Sequence, residues 1–186
     1  MVDPYADDIE LVSSIHDEWR DRFREESERV EDALAERGLD GAVVRIEHVG
    51  STAVPGLAAK DIIDLDVVVA EEAVPDVSSA MVSELGGDRH ENSDAWHPVF
   101  RAVEGQRFND HVFARSADGW RRSVVTREVL RADPAVRAEY ESLKRRLAAD
   151  YDDMDEYSRE KTAFVDGLLE TARERDLGLD VRVPAP

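Results

Sequence analysis

The sequence contains no cysteine, which excludes a disulfide scaffold, a thiolate metal site and a cysteine nucleophile. It has no apolar run long enough to cross a bilayer. Its first residues, Met1-Val2-Asp3-Pro4, lack the basic start and apolar stretch of a secretory signal, so a soluble, cytoplasmic protein with no membrane partner is expected. Positive charge is scarce: 24 basic residues face 43 acidic ones, for a net charge of −19. Such a surface repels a polyanion, which excludes non-specific binding of nucleic acid. Lysine is scarcer still, occurring only as Lys60, Lys144 and Lys161. An acidic, arginine-biased shell stays soluble in concentrated salt, where self-repulsion is screened, and points to a halophilic source.

The chain has 186 residues, 42% of them hydrophobic, enough to bury the core of one domain. Residues 16 to 36 carry Trp19, Phe23, Val30 and Leu34 on one helical stripe that ends near Gly38 and Gly41. Residues 42 to 49 are rich in β-branched side chains and read as a strand. A loop with Gly50, Pro55 and Gly56 leads to a second, interior strand, Ile62 to Val69. A short helix over 76 to 86 precedes a hairpin whose arms, Val99–Val103 and Arg107–Ala114, flank Glu104-Gly105-Gln106. From Trp120 the pattern is helical. Asp133-Pro134 starts a helix with Val136, Tyr140, Leu143 and Leu147 on one face, and a last helix runs from about Asp155 to Arg175. A single α+β domain over residues 1–186 follows, with its core at about 9–175 and a loose tail over 176–186.

Chemistry concentrates between Glu47 and Val67. Asp64 and Asp66 lie two apart on a strand and share a face, with Ile63, Leu65 and Val67 turned to the core. Paired carboxylates on an apolar strand repel one another, and a hard cation such as Mg²⁺ or Mn²⁺ between them removes that cost. The plainer alternative is an exposed strand end in an acid-rich protein. Gly50-Ser51 follows the preceding strand, where the Ser51 and Thr52 hydroxyls and amides offer donors to an anion.

This order, Gly-Ser, a spacer, then Asp-hydrophobic-Asp, resembles the signature of the nucleotidyltransferase (polymerase β-like) fold. His48-Val49-Gly50-Ser51-Thr52-Ala53-Val54-Pro55-Gly56-Leu57-Ala58-Ala59-Lys60, with Ile62-Ile63-Asp64 after it, is similar more closely to the GrpB family, whose members are sometimes joined to dephospho-CoA kinase. Trp19, His111-Val112, the segment Arg127 to Arg131, Tyr140 with Lys144 and Tyr157 with Lys161 extend the likeness over roughly residues 9 to 172. Two departures are Asp61, where the family commonly has proline, and the run Thr126-Arg127-Glu128-Val129-Leu130-Arg131.

The resemblance implies a mixed sheet flanked by helices, with a helical C-terminal part. It implies Mg²⁺-dependent transfer from a nucleoside triphosphate to an acceptor, with Asp64 and Asp66 as catalytic metal ligands and Gly50 and Ser51 at the phosphates. A binding module without catalysis, holding a nucleotide, a coenzyme-like ligand or a partner protein, is the alternative. A third metal ligand falls to Asp110 by chemistry or to His111 by the resemblance. On a regular strand the two face opposite ways, so only one reaches the site. His48, Thr52, Lys60 and His111 are candidate ligand contacts, as is Lys144, for which a structural ion pair is the expected alternative, as for Lys161. Arg127 and Arg131, four apart on a helix, suit either an anion clamp or surface salt bridges. His16, His90 and His97 carry no pattern.

Overall fold

The apolar stripe of residues 16–36 becomes helix α1 (His16–Glu36), which buries Trp19, Val30, Ala33 and Leu34. The structure, a computed structural model, describes residues 10–90, 92–150, 154–175 and 178–185. The opening residues read above as no secretory signal, and the side chain of Tyr157, lie outside the described residues. Strands β1 (Val43–Val49) and β2 (Ile62–Val69) are followed by helix α2 (Val74–Leu85), the two-residue strand β3 (Asp88–Arg89), β4 (Trp96–Val103) and β5 (Gln106–Ala114). Three helices complete the chain: α3 (Asp118–Ala132), α4 (Pro134–Asp150) and α5 (Met154–Glu174). Asp133 accepts the amides of Ala135 and Val136 through Oδ1 at 3.0 and 3.2 Å, the cap that starts α4.

The strands form one mixed sheet in the order β1-β2-β5-β4-β3, with β2 and β5 parallel and the other pairs antiparallel. The strand β4 starts earlier than expected, at Trp96, and runs through Pro98. Pro98 tolerates the position because its carbonyl accepts from His90 on the side of the short edge strand β3, where few ladder bonds are needed.

Alternation along the strands makes two different faces. One carries Ile63, Leu65, Val67, Phe108 and Val112 against α1 and α2. Each fully buried valine or leucine there contributes about 1.5–3 kcal/mol. Within this layer, Arg101 binds Asp110 through Nε at 2.6 Å and reaches Glu26 of α1 through Nη2, all three side chains being almost completely buried. The other face carries Asp64, Asp66 and Val68 beside Asn109, His111 and Phe113. Its far end packs against Trp120 and Val124 of α3. Its near end stays open as a cleft.

The C-terminal segment expected as a loose tail is docked over residues 178–185. Leu179, Val181 and Val183 pack on the cluster between α3 and α5, and Arg173 donates to the Pro184 carbonyl. Burial of these three alternating apolar side chains, with ion pairs from Arg45 to Asp180 and from Arg182 to Asp118, holds the segment to that surface. Among the described residues no helix is long and apolar enough to cross a membrane.

Candidate functional site

Gly50 ends β1 with φ +71° and ψ −169°, a backbone region open almost only to glycine. The chain then makes a single 3₁₀ turn, Ser51–Ala53. A Cβ at Gly50 would stand 2.1 Å from Asp64 Oδ2, so the turn passes directly against that carboxylate. The loop is held from three helices. His16 of α1 meets the Thr52 carbonyl through Nδ1 at 3.1 Å, and Arg131 of α3 donates to the Ala53 carbonyl through Nε and Nη2 at 3.0 and 2.7 Å. Lys144 of α4 donates to Ser51 Oγ at 3.0 Å and to the Ala58 carbonyl.

These contacts sort the expected residues. Lys60, Asp64, Ser51, Thr52, His111 and Lys144 line one cleft of about 290 Å³. Gly50 shapes its edge. His48 does not reach it: His48 is buried on the opposite side of β1, bonded to Thr52 Oγ1 at 3.0 Å and stacked on Phe23. Arg127 donates to Glu47 and to the His48 carbonyl, both at 2.7 Å, and Arg131 holds Ala53, so both arginines brace the loop and line no part of this cleft. Asp110, proposed above as a metal ligand, pairs in register with Leu65 and so faces α1, in the trio with Arg101 and Glu26. His111 pairs with Asp66 and takes the cleft side. The departure at Asp61 also faces α1, where it accepts Trp19 Nε1 and Arg22 Nη1, each at 2.9 Å.

Lys161 joins the cleft, although an ion pair on a helix surface was expected for it, and so do Asn109, His90, Trp96 and Phe100. Asn109 and Phe100 were legible in principle: each lies an even number of residues from His111 or from its partner on β4, and so shares its face.

Electrostatics follow from this enclosure. Burial lifts Asp64 to about 6, against the Asn109 hydrogen bond and the nearby Lys161 and Lys60 charges. Burial lowers Lys144 to about 7, with Lys161 adding to the effect, and lowers Lys161 to about 8 despite Asp64. Asp66 is completely buried, and neither of its oxygens has a hydrogen-bond partner. Burial raises its pKa well above the ordinary carboxylate value, the nearby Ser123 hydroxyl and Arg127 charge pull against it, and the charges of Asp64 and Glu47 push the same way as burial. His111 accepts from Trp96 Nε1 at Nδ1, 3.1 Å away, and burial lowers its pKa to about 4. An accepting Nδ1 on a neutral ring leaves the hydrogen on Nε2, so His111 is a hydrogen-bond donor to the cleft.

The GrpB protein family model matches residues 9–171. The chain belongs to the GrpB family. It is 31% identical to the glutamate-rich protein GrpB of Alkalihalophilus pseudofirmus, over 86% of this chain and 94% of that protein. It is 33% identical to a Deinococcus radiodurans protein named UPF0157 protein, over 89% of this chain and 84% of the other. A Mycobacterium leprae protein named dephospho-CoA kinase shares 32% identity over 66% of this chain and 37% of its own length. The crystal structure of GrpB from Enterococcus faecalis superimposes with a TM-score of 0.75 at 26% identity, covering 89% of this chain and 98% of that one. The mixed sheet flanked by helices is thus the GrpB fold, consistent with a nucleotidyltransferase-like architecture.

The donor set of this GrpB-family cleft does not fit the divalent-metal centre that the sequence resemblance implies. Among the described residues no group of three acidic or histidine side chains comes together as a metal shell. Opposite the two aspartates, β5 presents Asn109 and His111 rather than an acid. The Asp64 Oδ1 already accepts from Asn109 Nδ2 at 3.1 Å, and Oδ2 packs on Gly50. Asp66 is completely buried and lines no part of the cleft, and burial favours its neutral form, a poorer ligand than a carboxylate.

Proposed function

We propose that the cleft binds a phosphorylated small molecule of the nucleotide or coenzyme class. One observation carries this reading: all three lysines of the chain line a single cleft, from a loop, from α4 and from α5. Ammonium groups are compact partners for phosphate, and Ser51 and His111 add uncharged donors. Trp96 and Phe100 on the β4 side supply an apolar aromatic wall suited to a flat ring. A segment similar to this chain occurs in a protein named dephospho-CoA kinase, which places coenzyme A precursors beside nucleotides in the ligand panel.

Thermal shift in KCl tests the proposal. A ligand near 100 Kd stabilises the native state by about 2.7 kcal/mol, which raises Tm by roughly 5–11 °C in a domain of this size. Lys144→Met should remove that shift. A melting point unmoved by every phosphorylated ligand, or a shift that survives Lys144→Met, would sink the reading.

Nucleotidyl transfer is the second reading, and a specific feature favours it. Ser51, Asp64 and Lys161 line both the cleft and a second cavity of about 260 Å³, whose other walls include Ser123, Thr126, Tyr140 and Val165. A carboxylate between two cavities, with a pKa near 6, suits a general base. It would take the proton of an acceptor hydroxyl whose oxygen attacks the α-phosphorus, and pyrophosphate would leave toward the lysines. The resemblance attaches Mg²⁺ or Mn²⁺ to this reading. Release of pyrophosphate from a nucleoside triphosphate is its assay, and absence of release with any acceptor tried refutes it.

A further inference from the structure

The lysine cluster has a consequence for how a ligand is held. Lys60 and Lys161 both act on Asp64 electrostatically, and Lys144 lies close enough to Lys161 to depress its own pKa. Lys60 and Lys161 therefore flank one half-buried carboxylate, with Lys144 beside Lys161 and bonded to Ser51, while the second carboxylate of the pair is sealed beneath the surface. Of the Asp64 oxygens, Oδ1 accepts from the Asn109 amide and Oδ2 lies against the turn at Gly50. The cleft thus carries an excess of positive charge fixed by its own side chains. In a chain of net charge −19, this concentration of all the lysines stands against the surrounding field.

We propose, resting on the phosphate-binding reading above, that the ammonium groups of Lys60, Lys144 and Lys161 neutralise the phosphate charge of the ligand, in place of a divalent cation. Ser51 and His111 then supply neutral hydrogen bonds to the same oxygens. Without ligand, Asp64 serves as the counter-ion of Lys60 and Lys161, and Ser51 holds Lys144 beside them. An incoming polyphosphate takes over that task and gives each lysine a stronger partner than a single carboxylate. Because Asp64 and the phosphate carry the same sign, Asp64 opposes the ligand in this arrangement. In a metal-bridged site it would instead be indispensable. That contrast in sign separates the two arrangements.

Calorimetric titration of the full chain with inorganic tripolyphosphate, once in chelator and once in excess Mg²⁺, reads the difference. The expected result is binding in chelator at least as tight as in Mg²⁺. Lys161→Met and Lys60→Met should each weaken it about tenfold or more, the loss of one charge-assisted contact. Asp64→Asn should strengthen it. Lys161→Arg, which keeps the charge, should retain most of the affinity, and Lys60→Met carries the test of charge removal if Lys161→Met loses its native circular dichroism. Binding that appears only with Mg²⁺ and vanishes in Asp64→Asn overturns the inference while the phosphate-binding reading survives. No binding in either condition overturns both.

Discussion

Replacing Gly50 by alanine tests the geometry on which the site depends. The backbone at φ +71° and ψ −169° is one that an alanine adopts only at a cost of about 1–3 kcal/mol. The added Cβ would fall 2.1 Å from Asp64 Oδ2 and 3.0 Å from its Cγ, so the carboxylate is the group that must move. Moving it breaks the hydrogen bond from Asn109 Nδ2, worth about 1 kcal/mol. The sum is about 2–4 kcal/mol, which lowers Tm by roughly 5–15 °C in a chain of this length. Urea unfolding followed by far-ultraviolet circular dichroism measures it. Gly41→Ala is the control, because its Cβ meets nothing within 4 Å and its φ is ordinary. It should stay within about 0.5 kcal/mol of the parent. A Gly50→Ala protein as stable as the Gly41→Ala control, and binding tripolyphosphate as the parent does, would refute the close approach of turn and carboxylate.

Three further outcomes follow from other buried groups. Arg101→Met leaves Asp110 and Glu26 buried without their shared cation, and should cost about 3–5 kcal/mol in urea unfolding at neutral pH. A loss below about 1 kcal/mol would mean that the trio is not closed. His111 has a folded pKa of about 4 against an ordinary 6.5, so the unfolded chain binds the extra proton between those values. The stability of the parent relative to His111→Asn should therefore be complete above about pH 6.5 and fall as pH drops through about 4; a difference flat in pH argues against a buried neutral ring. Asp66 has its folded pKa raised, so its contribution is present below the unfolded carboxylate range and is lost as pH rises. Asp66→Asn should gain stability over the parent as pH increases, and a difference flat in pH would show that the carboxyl is solvated.

How much of this was readable in advance depends on the range of the interactions involved. The facing of Asp64 and Asp66, the turn at Gly50 and the cap at Asp133 are local, and strand alternation, a glycine-only conformation and a side-chain cap leave marks within a few residues. The choice between Asp110 and His111 was narrowed by alternation but settled by register, since only the pairing of Leu65 with Asp110 and of Asp66 with His111 says which one faces the cleft. Arg127 and Arg131 share a helix face as expected, yet whether that face meets a ligand or the loop backbone is a matter of docking. The docked segment 178–185 looked loose because three spaced apolar residues are a weak signal without the surface that receives them.

Helix stripes, strand alternation and charge are properties of neighbours, so most elements, the acidic field and the family signature could be read without a structure, while the edge strand β3 and the early start of β4 could not. The sequence also showed that lysine is confined to three positions. That these three meet is a property of the folded chain. Lys144 bonds Ser51 across 93 positions of sequence, and Lys161 approaches Asp64 from a different helix. Such a convergence is set by how α4 and α5 pack against the loop after β1, through apolar contacts of Val54, Leu57, Tyr140 and Leu169 that carry no charge and announce no chemistry.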